Sequence, residues 1–88
     1  MYRVPDAVRS THNQDGGIVL DVDRGQIFNF NLVGSRIFEL LKSGFSEAQI
    51  VTNVSHEFEV SVELAGADVR EFLETLKEQR LVEAHESL

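Results

Sequence analysis

Asn31 divides this chain into two halves of different periodicity, and that division limits its fold more than any other feature. Before Asn31, short β-branched and aromatic runs alternate with glycine-bearing turns. After it, apolar residues recur every three or four positions behind three helix-capping residues, Asn31, Ser46 and Ser61. Strands grouped first and helices grouped after predict an α+β domain, because an alternating βαβ order would interleave them.

In the first half, Pro5 marks the start of a strand over Ala7–His12. Asp15-Gly16-Gly17 signals a turn. Ile18–Val22 reads as a second strand, Asp23-Arg24-Gly25 as a hairpin loop, and Gln26–Phe30 as the returning third strand.

In the second half, the Asn31 side chain can accept a bond from an orphan N–H of the first helix, whose apolar face is Val33, Ile37, Phe38, Leu40 and Leu41. Gly44 supplies a left-handed stop. Ser46-Glu47-Ala48-Gln49 has the spacing of a capping box, and Ile50, Val51 and Val54 form the buried face behind it. Ser61 caps a third helix with an apolar stripe of Val62, Ala65, Val69, Phe72, Leu73 and Leu76. Leu81-Val82 follows as a short extended piece, and the last six residues are polar enough to fray. A three-stranded antiparallel sheet followed by three helices predicts a winged helix-turn-helix-like domain. It fills residues 1–88 as one unit with a core over about 7–82.

Composition narrows the functional classes. The chain is 42% hydrophobic and 26% charged, which is a globular balance. Without cysteine it has no disulfide and no thiolate metal site. No apolar run suits a bilayer span and the N-terminus lacks a signal-peptide core, so it reads as a cytoplasmic chain with no membrane partner. Its net charge of −7 makes nucleic acid a poor default partner. A winged-helix DNA-binding protein is still the main rival, since the third helix carries Arg70 and Lys77, with Arg80 at its end. Against them stand Glu63, Asp68, Glu71, Glu74 and Glu78. A structural protein–protein adaptor, dimerising through a strand edge, is a further alternative.

No catalytic or metal constellation emerges. His12, His56 and His85 share no ligand spacing. Asp21-Val22-Asp23-Arg24-Gly25 lacks the third oxygen ligand, the glycine position and the distant Glu of a calcium loop, and reads as a hairpin turn. Gly16-Gly17 is followed by neither a Lys nor a helix start, so it is not a phosphate loop. No Ser, His and acid arrangement points to a nucleophile, so neither an enzyme nor a cofactor is expected.

Two blocks of residues carry a resemblance. The first is Gly25, Phe28, Phe30, Asn31, Gly34, Ile37, Phe38, Leu40 and Leu41. The second is Asp68-Val69, Phe72-Leu73, Leu76 and Leu81-Val82. In order and separation they resemble the PqqD family, named for pyrroloquinoline quinone synthesis protein D, over Gly17–Val82. Phe38 stands where the family often has Trp, and Arg80 where it usually has Gly.

The resemblance implies a module that binds the leader of a ribosomally made precursor peptide. The leader would add as an extra strand beside the third strand, in a groove against the third helix. A separate modifying enzyme, such as a radical SAM enzyme or a leader peptidase, would then receive it. The residues themselves leave two readings of Gln26–Phe30 open. It contains no Lys, Arg or Pro to blunt an exposed edge, yet a central or covered strand needs none. The resemblance favours the open edge.

The expected site is therefore Gln26, Ile27, Phe28, Asn29 and Phe30 on the strand, with Val69, Arg70, Leu73, Leu76 and Lys77 on the third helix. Alternation places Phe28 and Phe30 toward the core and Ile27 with Asn29 on the other face. Arg70 and Lys77 would meet acidic leader residues at the rim, or else pair with Glu74. On this reading Leu73→Asp abolishes binding without unfolding the domain.

Overall fold

A computed structural model describes residues 2–84. Its elements run β1 (Tyr2–Arg3), β2 (Val8–Asn13), β3 (Gly16–Asp21), β4 (Gln26–Asn31), α1 (Leu32–Lys42), α2 (Glu47–Glu57), α3 (Val62–Glu78) and β5 (Glu83–Ala84). Strands β2, β3 and β4 form an antiparallel sheet in that order. The three-stranded sheet followed by three helices matches the sequence reading. The three expected strands fall at β2, β3 and β4, each within about two residues of its expected ends.

All three helix starts are made by the expected caps. Asn31 Oδ1 accepts from Gly34 N at 2.8 Å, and Ser61 Oγ accepts from Leu64 N at 3.1 Å. Ser46 and Gln49 form a reciprocal box, with Gln49 N donating to Ser46 Oγ at 3.2 Å and Ser46 N donating to Gln49 Oε1 at 2.9 Å. A cap of this kind contributes about 1 kcal/mol.

The helix ends are alike in geometry but not in sequence. After α1, Gly44 N donates to Leu41 O and Phe45 N to Leu40 O. After α3, Arg80 N donates to Lys77 O and Leu81 N to Leu76 O. Both are Schellman closures, and α2 keeps the longer bond of that motif, from Val60 N to Ser55 O. The residue that must turn left-handed is Gly44 in the first, but Glu59 (φ 53°) and Arg80 (φ 59°) in the others. An L side chain pays about 1–2 kcal/mol for that conformation, partly offset by the greater freedom of glycine in the unfolded chain. Arg80→Gly and Glu59→Gly are each expected to raise stability by about 0.5–1 kcal/mol, lifting the thermal midpoint by roughly 2–8 °C in a melt followed by circular dichroism. Arg80 thus keeps the turn that glycine would make, at a cost in strain.

The core lies between the sheet and the helices. Val8 and Val19 from the sheet meet Ile37, Phe38 and Leu41 of α1, Ile50 and Val54 of α2, and Ala65, Val69, Leu73 and Leu76 of α3, with Leu81 and Val82 closing one end. The two buried polar side chains among the described residues are matched. Ser35 Oγ lies 2.6 Å from His12 Nδ1, and Asp21 Oδ1 accepts from Arg24 N at 3.2 Å.

Two short strands lie outside the elements expected from the sequence. Tyr2 pairs with Ala84 and Arg3 with Glu83, so β1 and β5 form a second, two-stranded sheet. The expectation that the chain frays from Glu83 is corrected at these two residues, and its remainder, residues 85–88, lies outside the described residues.

Candidate functional site

Strand β4 pairs with β3 along one side only, so among the described residues its other edge carries no partner strand. Its sequence, Gln-Ile-Phe-Asn-Phe-Asn, holds no charge and no proline. The opposite edge, β2, is defended: it carries Arg9, and the Lys42 ammonium donates to Ser10 Oγ at 2.7 Å. Cationic side chains on an edge discourage pairing with a visiting strand. The two edges of one sheet therefore differ in what they admit.

The alternation along β4 is as expected. Phe28, opposite Val19, and Phe30, opposite Gly17, turn toward the core and are half-buried. Ile27, opposite Leu20, turns to the outer face and is 67% exposed. Gln26 and Asn29 are exposed.

The backbones of β4 and α3 stand apart, and aromatic side chains pack between them. Phe72 meets Phe30 edge-to-face with ring centroids 5.1 Å apart, and Phe30 in turn meets Phe38 at 5.8 Å. The first turn of α1 closes on the same ring, since a Cβ on Gly34 would lie 2.9 Å from Phe72 Cε1. The Phe30-Asn31-x-x-Gly34 pattern now has a physical meaning. Phe30 packs the end of β4 against Phe72, Asn31 starts α1, and Gly34 admits the ring. By helical spacing, Leu64, Asp68 and Thr75 share the flank of α3 that carries Phe72, and all three are exposed.

The expected α3 residues are placed otherwise. Val69, Leu73 and Leu76 are 0%, 1% and 0% exposed, so they are core residues and do not line a surface groove. Arg70 and Lys77 lie on the flank away from Phe72. Arg70 Nη2 sits 3.7 Å from Glu47 Oε2 on α2, in place of the pairing with Glu74 that helical spacing offers. Lys77 Nζ does pair with Glu74, at 3.1 Å, and also lies 5.4 Å over the Tyr2 ring. The hydrogen bond that it donates to Glu74 holds the Lys77 ammonium above its ordinary pKa range. The structure places carboxylates, Glu47 and Glu74, beside these two expected rim residues. Phe72 is the α3 residue missing from the expected site, although the apolar stripe included it.

The same geometry bears on DNA binding by α3. Arg70 and Lys77 are engaged by carboxylates, and the flank around Phe72 presents Asp68 and no cation. A phosphate backbone would meet net negative charge there.

The family model described as coenzyme PQQ synthesis protein D (PqqD) matches residues 16–82. The chain belongs to the PqqD family. Among solved structures it is similar to TbiB1 in complex with the TbiA(beta) leader peptide, with 33% identity, a TM-score of 0.86, and coverage of 97% of this chain and 99% of that one. It also shares its fold with lasso peptide synthetase B1 complexed with the leader peptide, at 23% identity and a TM-score of 0.83, covering 94% and 98%. No curated protein sequence matches it. The PqqD match begins at Gly16, so β3, β4 and all three helices lie within it. No helix among the described residues is long and apolar enough to cross a membrane.

Proposed function

We propose that this PqqD-family chain binds the leader segment of a ribosomally made precursor peptide as an added strand on β4, and presents it to a separate modifying enzyme. One observation carries the reading: β4 is an undefended edge, and Phe72 of α3 packs against Phe30 beside it. Complexes of TbiB1 and of lasso peptide synthetase B1 with leader peptides support it.

A strand on β4 would alternate its side chains. One set would enter the gap among Phe28, Phe30 and Phe72, and the other would lie beside Ile27 on the outer face. Four or five backbone hydrogen bonds give roughly 0.5–1.5 kcal/mol each, while association costs at least about 4 kcal/mol plus the ordering of a flexible leader. Backbone pairing therefore about breaks even. Two or three apolar leader residues, buried at about 1.5–3 kcal/mol each, bring the affinity to micromolar or tighter.

On this reading the module is a binding partner and not a catalyst. It works in the cytoplasm, where precursors leave the ribosome, beside an enzyme such as a radical SAM enzyme or a leader peptidase. A second copy pairing through β4 would compete with the leader.

The test is an amide NMR titration of the chain with a leader peptide encoded beside it. Shifts are expected over residues 26–31 and around Leu64, Asp68, Phe72 and Thr75. Shifts centred on α2, or a tight dimer in sedimentation that the leader leaves intact, would remove β4 as the site.

A further inference from the structure

The chain has eight Lys and Arg residues against fifteen Asp and Glu, so carboxylate partners are plentiful. Arg24, Arg36, Arg70 and Lys77 each have one within 4 Å, at 3.6, 2.6, 3.7 and 3.1 Å. Arg3, Arg9, Lys42 and Arg80 form no ion pair among the described residues, and the first three line one cleft. This cavity, of about 570 Å³, lies between the N-terminal segment, the start of β2 and the end of α1. Asp6 is its one carboxylate, so three cations face one acid on a chain whose net charge is −7. Beneath them is an apolar floor: Val8 and Leu41 are 5% and 3% exposed, and Val4 is half-buried.

Cations gathered around one cleft repel each other, and an anionic guest relieves that repulsion. The apolar floor and the helix terminus indicate which anion. A compact phosphate is favoured by helix N-termini, whereas α1 offers this cleft its C-terminal end, at Lys42 and Gly44. Carboxylates spaced along a chain and separated by an apolar side chain fit both the spread of the cations and the floor between them.

We propose that this cleft is a second interaction site, which takes an acidic peptide segment bearing an apolar residue, supplied by a partner protein. It lies on the β2 side of the sheet, and β4 forms the opposite edge. The partner can thus be held while β4 is occupied. The inference does not depend on what β4 binds.

The full 88-residue chain is titrated by amide NMR with a peptide alternating Glu with Leu and Phe, with the same peptide carrying Gln for Glu, and with inorganic phosphate. The Glu peptide is expected to shift residues 2–9 and 41–44 and leave 26–31 unmoved. The Gln peptide is expected to bind at least about fivefold more weakly. Arg9→Glu with Lys42→Glu is expected to weaken the Glu peptide by about tenfold, as is the milder Arg3→Gln with Arg9→Gln should the first pair perturb the thermal melt. Equal binding of the Gln peptide, displacement by phosphate at equal concentration, shifts centred on residues 26–31, or no shifts at all would each overturn the proposal. The last result would leave Arg9 and Lys42 as guards of the β2 edge.

Discussion

Leu73→Asp is expected to unfold the domain, with loss of the far-UV helical signal and collapse of amide dispersion in the NMR spectrum. Leu73 is 1% exposed and packs in the core with Val69 and Leu76. Removing a buried leucine costs about 2–5 kcal/mol. The carboxylate must then be buried without a partner or be protonated, at a further cost of several kcal/mol. A single core in a domain of this size rarely supplies more than about 3–5 kcal/mol of stability. The sum exceeds what the fold holds, so the variant cannot report on binding. Leu73→Met, which conserves volume, is expected to stay folded at a cost under about 1.5 kcal/mol. A well-dispersed spectrum for the Asp variant would place Leu73 at the surface and overturn the packing described above.

That prediction reverses the expectation drawn from sequence, and the reason is instructive. Caps are local, so Asn31, Ser46 and Ser61 could be read directly and each starts its helix where expected. Period-2 alternation is also local, and it separated Phe28 and Phe30 from Ile27 correctly. The resemblance was legible because Phe30, Asn31 and Gly34 act within one short stretch where strand turns into helix. What one helix cannot disclose is which part of its apolar stripe faces the core and which faces a gap. Val69, Leu73 and Phe72 all belong to that stripe, and only packing against β4 and α1 separates them. Arg70 was misplaced for the same reason, since its partner Glu47 lies on another element, whereas Lys77 takes the Glu74 pairing that helical spacing offers and adds only Tyr2 from elsewhere. Strand β1 was missed because two residues carry no periodicity, and their pairing with Glu83–Ala84 spans nearly the whole chain.

The largest loss of leader binding is expected from Phe72→Ala. Phe72 is half-buried, so its ring stabilises the fold through Phe30 and still offers surface to a strand entering the gap. Losing that surface costs a bound leader about 1.5–2 kcal/mol, a tenfold to thirtyfold rise in Kd read by calorimetry. The fold itself loses roughly 2–3 kcal/mol in urea denaturation, because a half-buried ring contributes less than a fully buried one. Phe72→Leu keeps most of the apolar volume and is expected to recover most of both. Ile27→Lys separates binding from folding. At 67% exposure its loss leaves stability within about 0.5 kcal/mol, while a cation on the edge opposes the incoming strand. Weaker leader binding in both Phe72→Ala and Ile27→Lys, with the melt moved only by the first, places the peptide on β4 against the Phe72 flank. An unchanged Kd in Ile27→Lys would take it off that edge.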